Sequence, residues 1–377
     1  MRLILHDNGL HLRFAPLTLT RPVADLRVGI LTNVERWQKW IPESQISFET
    51  ENYLGKKFRI ESSSDAVSIN SAIIPTESIA AAVVSLDENQ ELISEGVWIA
   101  RRGTGEIKVS FKEMHPIELE NRWDLFQKND EILVADYFFM TGGRESQHLS
   151  ATNTVIGDRS LIFLEEGAQV EASVLNTTAG PIYIGKNAEV MEGSLIRGPF
   201  ALCDGAGVKM GAKIYGATTI GPNCKVGGEV SNCIFQAYSN KGHDGFLGNS
   251  LVGEWCNFGA DSNTSNLKNN YSTIRSYSYE TKNEIETGLT FMGVCMGDHS
   301  KTGINTMLNT ASVIGVSCNV FGGGFPDKFL PSFTWGGVES KVVFDLNKAI
   351  EVAKAMMSRR SVEFTDGDQL IFETLFK

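Results

Sequence analysis

The chain has 377 residues, 42% hydrophobic and 21% charged, with a formal net charge of −11 and a pI near 5.2. This is the composition of a folded soluble protein of two or three structural units. Its acidity argues against nucleic acid as a partner, because phosphate backbones need a basic face. The N-terminus turns polar at His6-Asp7, too soon for a signal peptide, and no apolar run reaches membrane-spanning length. A cytoplasmic protein with no membrane partner is expected. Six cysteines stand at 203, 224, 233, 256, 295 and 318, none in a CxxC pair. No metal site is expected from them, and reduced thiols serving as small core residues are the simpler reading.

Residues 1–145 alternate strand and helix patterns, which marks an α/β unit. Leu3-Ile4-Leu5 reads as a buried strand, Val34 to Trp40 as a helix and Val67 to Asn70 as a second strand. Glu77 to Leu86 suits a helix capped by Thr76. Gly96 to Ala100 is a further strand. Trp123 to Phe126 begin a helix, with Ile132-Leu133-Val134 following. Thr141-Gly142-Gly143-Arg144-Glu145-Ser146 is a polar linker.

Residues 150–337 follow a different rule. Ile184, Val190, Ile196, Leu202, Val208, Ile214, Ile220 and Val226 recur at steps of six without a slip. Helix faces repeat near 3.6 residues and ordinary strand faces near 2, so a strict six fits a β-solenoid. There each short strand and turn sends one side chain inward. Turn-forming residues fill the steps, as in Gly185-Lys186-Asn187 and Gly221-Pro222-Asn223. An earlier run of sixes passes through Ile156, Ile162, Ala168 and Val174, with an insertion near Thr177-Gly180 before Ile184. After Val226 the pattern loosens and returns at Val252 and Phe258. Asn266 to Thr287 interrupt it as a loop, and Met296, Thr302, Leu308, Ile314 and Val320 restore it. Residues 338–377 contain one clear helix, with Leu346, Ala349, Ile350, Ala353, Met356 and Met357 on one face. Asp345 can cap its start, and Arg359-Arg360 suit its C-terminal dipole.

An α/β unit followed by a hexapeptide β-helix resembles the bifunctional N-acetylglucosamine-1-phosphate uridyltransferase / glucosamine-1-phosphate acetyltransferase family. The likeness is closer to the family's alternative bacterial branch of sugar nucleotidyltransferases. The best-matched stretch is Lys241-Gly242-His243-Asp244-Gly245-Phe246-Leu247-Gly248, continuing through Val252 to Ala260 and on to Asn266. The resemblance implies a left-handed, trimeric β-helix with acyl-transfer sites at the subunit grooves. It implies His243 as a catalytic base, Asn257 and Asn266 as further functional residues and Phe246 beside the acceptor. Acetyl-CoA would be the co-substrate. The acceptor would be an amino-sugar phosphate or nucleotide sugar, glucosamine-1-phosphate by resemblance. The chemistry agrees, since acyl transfer to an amine needs a proton sink near neutral pH and imidazole provides one. Asn side chains can donate to a developing oxyanion or orient the acceptor. The Lys pair that binds the acceptor in the family is missing from Ser231-Asn232-Cys233-Ile234, which leaves the acceptor open.

A second segment, Gly297-Asp298-His299-Ser300-Lys301-Thr302-Gly303, has two readings. His299, Ser300 and Lys301 could line the acyl-donor groove, or Asp298 could cap a turn. Lys301, Lys328, Arg359 and Arg360 are cations that could meet coenzyme A phosphates.

In the N-terminal unit, Arg13 and the Pro16-Leu17-Thr18 and Pro22 spacing match the nucleotidyltransferase pattern. One glycine of its phosphate loop remains, Gly9, and Val23 stands at the family's Lys position. Asn70-Ser71-Ala72 replaces the family's Asn-Gly-Asp, whose Asp binds magnesium. Mg2+ is therefore expected only if this unit is active, through another carboxylate such as Asp7 or Asp136. Arg21, Asp25 and Arg27 could grip a sugar phosphate, or form an internal pair that closes a loop. The expected activity is N-acetyl transfer by a homotrimer, fused to a degenerate nucleotidyltransferase-like unit. Two alternatives stand beside it. One is an active uridylyl- or thymidylyltransferase trimerised by its β-helix, and the other a non-catalytic nucleotide-sugar-binding scaffold.

Overall fold

The computed structural model describes residues 1–60, 66–112 and 115–377. Its N-terminal unit is built on a sheet of six strands: β1 (Arg2–His6), β2 (Gln45–Glu49), β3 (Val67–Asn70), β4 (Gln90–Ser94), β5 (Val97–Arg102) and β6 (Ile107–Ser110). The order is β2-β1-β3-β5-β4-β6. β1 lies parallel to both neighbours and β5 antiparallel to β3. Helix α1 (Asn33–Trp40) starts at a capping box between Thr32 and Glu35. Helix α2 (Glu77–Val84) starts where the Thr76 side chain accepts from the Ile79 amide. Leu3, Leu5, Ile69, Ile99 and Trp37 pack into one core. Strands β2, β4 and β6 are not legible in the sequence, because polar or charged residues interrupt their apolar pattern.

From Thr154 onward the chain winds into a three-sided parallel β-helix, each side a ladder of two- or three-residue strands. All eight residues of the six-step run are buried in one continuous core. At about 1.5–3 kcal/mol for each fully buried aliphatic side chain, that column dominates the stability of the helix. The early run is partly out of phase. Leu164, Val170 and Leu175 point inward, in register with Ile184, Val190 and Ile196, whereas Ile156 is exposed. The reason is that Ile162-Phe163-Leu164 is buried on both sides, which blurs the period. Beyond Val226 the helix continues with shortened sides: Val230, Phe235, Lys241 and Leu247 take the inward positions. Part of the expected loop is ordered as a hairpin, Arg275–Ser278 with Asn283–Glu286.

Helix α3 (Asn129–Thr141) leads from the N-terminal unit to the β-helix. At the C-terminus α4 (Leu346–Ser358) is capped by Asp345 and buries Ala349, Ile350, Ala353 and Met357. A second helix, α5 (Asp366–Leu375), follows it behind a Thr365–Asp368 capping box. Its short apolar pattern was not separated from α4 in the sequence.

The N-terminal unit is seated on one face of the prism. The outward column of that face reads Phe163, Tyr183, Ala201, Thr219, Ile234, Leu251, Cys295, Val313 and Phe329 in successive coils. Ile30, Leu31, Leu133 and Tyr137 pack on its start, and Phe14, Leu17, Val28 and Trp123 further along. Polar pins fix the docking. The Asn129 side chain accepts from the Gly29 amide at 2.7 Å and donates to the Ala217 carbonyl at 2.9 Å. Arg21, 3% exposed, donates to Glu254 at 2.7 Å and to Asp298 at 2.5 Å, and Thr20 donates to Asp298 at 2.7 Å.

Removing Arg21 would leave Asp298 buried beside Glu254 without a counter-charge. Arg21→Ala is expected to cost about 3–5 kcal/mol, the range for breaking one partner out of a buried ion pair. Urea denaturation reads this, and a loss below about 1 kcal/mol would contradict it. Asp25 lies 3.7 Å from Arg21. Burial lifts its carboxyl from 3.8 to about 6 against the pull of Arg21, with Glu254 adding to the rise. The folded state thus binds more protons than the unfolded state between those values. The stability this gives is present below about pH 4 and is lost as pH climbs through 6. Asp25→Asn removes the charged form. It should stabilise by about 1–2 kcal/mol at pH 8 and by little at pH 4, at 1.36 kcal/mol per unit with a discount for partial exposure. Melting curves at both pH values check this, and an equal effect at both would count against it.

Candidate active site

His243 stands exposed at a corner of the prism, between the strand Asn240–Lys241 and the strand Phe246–Gly248. Its imidazole makes no hydrogen bond among the described residues. The backbone beneath it is tightly held. In the coil before it the chain turns this corner from Val226 to Glu229, two residues fewer than from Val208 to Lys213 or from Lys241 to Phe246. Gly227 and Gly228 make the shortcut possible. Gly228 has φ +69°, and a Cβ there would meet the Asp244 Cα at 2.8 Å. The His243 loop sits directly on these glycines.

Lys241 pins the loop from inside. It occupies the inward column that reads Val170, Val190, Val208 and Val226 in the coils before it. It is 2% exposed, and its ammonium donates to the Gly227 carbonyl at 3.0 Å and the His243 carbonyl at 2.7 Å. Burial pushes it down to about 8. A lysine in a valine slot is the signal that sequence reading missed, because a search for apolar periodicity passes over it.

Beyond the corner, Phe246 and Asn266 come together over Gly248: a Cβ on that glycine would lie 2.5 Å from the Phe246 ring and 2.7 Å from the Asn266 amide nitrogen. The Asn266 amide donates to the Asn249 side chain at 2.8 Å. Asn257 is placed elsewhere, on the face before the corner. There it forms one rung of an outward column with Lys225, Asn240 and Lys301. The structure therefore divides the three sequence-read catalytic residues between two faces that meet at His243.

The second His segment also divides. Lys301 faces the cleft over this column. Ser300 is fully buried, its hydroxyl donating to the Gly315 carbonyl at 2.6 Å and accepting from the Cys318 amide. His299 is 7% exposed and lies between Trp255 and Phe372. Burial, then Lys301, pushes it down to about 3, so it is neutral at physiological pH and brings no charge to a phosphate. Asp298 does cap a turn, accepting from the Glu254 amide at 2.8 Å.

In the N-terminal unit, Arg13 pairs with Glu280 of the hairpin at 3.3 Å. Arg21 and Asp25 lie in the docking cluster. Arg27 is buried, donating to the Ile30 carbonyl at 2.5 Å and to Glu35 at 3.0 Å. The terminal Nη donors of Arg21 and Arg27 are thus directed at protein carboxylates and a carbonyl. A magnesium ion does not fit the residues here. Ala72 is fully buried, and Asp7 accepts from the Val23 amide, from Thr50 and toward His11. Asp136 is held by Arg36 and the Ile30 and Leu31 amides. No helix among the described residues is long and apolar enough to cross a membrane.

Comparison with known proteins agrees with the resemblance read from the sequence. Residues 3–145 match the sugar nucleotidyl transferase family. Over 237 residues the chain is 24% identical to the bifunctional protein GlmU of Synechococcus elongatus, covering 57% of this chain and 48% of that protein. It is 24% identical over 221 residues to the bifunctional sugar-1-phosphate nucleotidylyltransferase/acetyltransferase of Sulfurisphaera tokodaii, covering 57% of this chain and 53% of that one. An uncharacterized acetyltransferase of Escherichia coli, YaiX, is 26% identical over 174 residues, covering 45% of this chain and 75% of its own length. The chain spans about half the length of the bifunctional relatives it matches.

Proposed function

We propose that the chain transfers an acyl group, acetyl in the simplest case, from acyl-CoA to the amine of a sugar phosphate or nucleotide sugar. The observation that carries this reading is the exposed, unengaged His243 imidazole on a loop anchored by Lys241. The amine attacks the thioester carbonyl, forming a C–N bond as the C–S bond breaks. His243 takes the amine proton and returns it to the departing thiolate. The Asn266 amide, beside Phe246, is available to the acceptor or to the developing oxyanion. Lys241 acts as a positioning residue through the backbone of His243.

The prism also suggests how the site is completed. One face is covered by the N-terminal unit, and the next meets α4 across a cleft. The third face, bounded by the His243 corner, keeps Ile156 45%, Leu195 50% and Tyr215 40% exposed. Solvent-facing apolar rows of this kind mark an association surface. We assign it to a homotrimer in which a neighbouring copy closes the groove beside His243. The N-terminal unit is a nucleotidyltransferase-like module in this reading. Nucleotidyl transfer is the weaker alternative, because Asp7 and Asp136 are already taken up by protein partners.

A mass-spectrometric screen of acetyl-CoA turnover over amino-sugar phosphates and nucleotide sugars identifies the acceptor. With that acceptor, His243→Ala is expected to lower kcat about 10²–10⁴-fold with little change in acetyl-CoA affinity. Lys241→Met should keep or raise the melting temperature, since it replaces a buried charge by an apolar chain. It should still lower kcat, because it frees the His243 loop. Near-normal turnover by folded His243→Ala would remove the imidazole from the mechanism.

A further inference from the structure

The face that carries Asn257 holds a group of cations with no carboxylate in ion-pair reach among the described residues, Glu189 standing two rungs from Lys225 on the same column. Lys225, Asn240, Asn257 and Lys301 occupy four successive rungs of one outward column, so the two ammonium groups bracket two carboxamides over roughly 14 Å at strand spacing. Arg359 and Arg360, at the end of α4, complete the wall of a cleft of about 490 Å³. Among the described residues none of these four cations has a carboxylate within 4.0 Å, although the chain as a whole is acidic. Lys225 is held below its ordinary value by burial first and then by Arg360 and Lys209, and Glu189 offsets this least. The Asn240 side-chain oxygen is buried with no hydrogen-bond partner. A cluster of like charges gathered at one place is unfavourable in the empty protein, and an anion relieves it.

One end of the cleft is aromatic. Tyr238 and Trp255 are stacked at 4.2 Å with their planes 7° apart, and His299 continues the stack on the far side of Trp255. These three are corner residues with φ of +54°, +59° and +60°. The same corner in earlier coils is turned by Asn187, Gly205 and Asn223, residues that accept this backbone readily. Bulky rings there carry backbone strain. His299 and Trp255 repay it by packing within the protein, His299 on Phe372. Tyr238 is half-buried, no ring continues the stack at Asn223, and the tyrosine lines the cleft.

We propose that this cleft binds the diphosphate of a nucleotide, with Lys225, Lys301, Arg359 and Arg360 around the phosphates and the base against Tyr238. Both coenzyme A and a nucleotide sugar offer that chemistry. The first source rests on the acyl-transfer reading, and the second does not. Forked Arg donors and point-charge Lys donors suit phosphate oxygens together. The Asn240 oxygen can accept from a ribose hydroxyl or an exocyclic amine.

The test is calorimetric titration of the full chain with inorganic pyrophosphate, coenzyme A and UDP-N-acetylglucosamine. The proteins compared are wild type, Lys225→Gln/Arg360→Gln, Tyr238→Leu and His243→Ala. The two substituted side chains make no hydrogen bond or ion pair to the described residues and repel each other, so the melting temperature of the paired variant should match or exceed wild type. It should bind every wild-type ligand at least tenfold more weakly. Tyr238→Leu should weaken the two nucleotides while leaving pyrophosphate unchanged. Preference for coenzyme A or for the sugar nucleotide decides between the two sources, and either supports the site. His243→Ala should bind all three probes as wild type does, since the imidazole lies at the corner and not among the cations of the cleft. The proposal is overturned if none of the three probes binds below about millimolar, or if the paired charge variant binds them unchanged. Acetyl transfer could still be intact in either case.

Discussion

The structure depends on one geometric constraint: a flat, three-sided coil encloses a narrow interior, and every side chain turned into it must be apolar or fully satisfied. From Ile184 to Val226 the six-step positions are all aliphatic, and Phe200, Cys224 and small residues such as Ala188 and Ala206 fill the core between them. The interior settles stability, which leaves the outward columns to settle what each face does. One column is apolar and takes the N-terminal unit, and one is polar and cationic and meets α4. One remains open with scattered large apolar groups. His243 lies where the last two meet.

The exceptions to the inward rule carry the functional argument. Lys241 replaces valine, and two backbone carbonyls rather than a carboxylate satisfy it. A carboxylate partner would have neutralised it. Carbonyl partners instead tie its position to the loop that presents His243. Arg21 is a different case, a buried cation with acidic partners on the other structural unit. Such pairs gain little over apolar packing but cost several kcal/mol when broken, so they fix how two units sit together. From sequence alone, Arg21 and Asp25 are open between ligand binding and an internal pair. The geometry directs Arg21 across the domain junction.

How much was legible follows from the same constraint. The six-step run was unmistakable because no slip interrupts it, and the α4 face was readable from its i, i+3, i+4 spacing. The coils after Val226 were harder, since their sides shorten to four or five residues and an inward lysine breaks the apolar sign. Strands β4 and β6 carry too many polar residues for alternation to stand out. At the site, the motif around His243 was readable locally. The placement of Asn257 on a different face from Asn266 was not, because the corner between them depends on coil lengths. The docking column from Phe163 to Phe329 was present in the sequence, but its members are spaced irregularly and are recognised only once the coils are stacked.

The central claim is that the open face joins copies of the chain and that His243 acts at the groove this creates. Sedimentation of wild type and of Leu195→Glu/Tyr215→Glu, with acetyl transfer measured on the same samples, tests it most directly. Both substituted residues are outward-facing and half exposed, so the fold should survive the change. The account predicts an active trimer for wild type and a folded, inactive monomer for the variant. A monomeric wild type, or a monomeric variant with full activity, would contradict it.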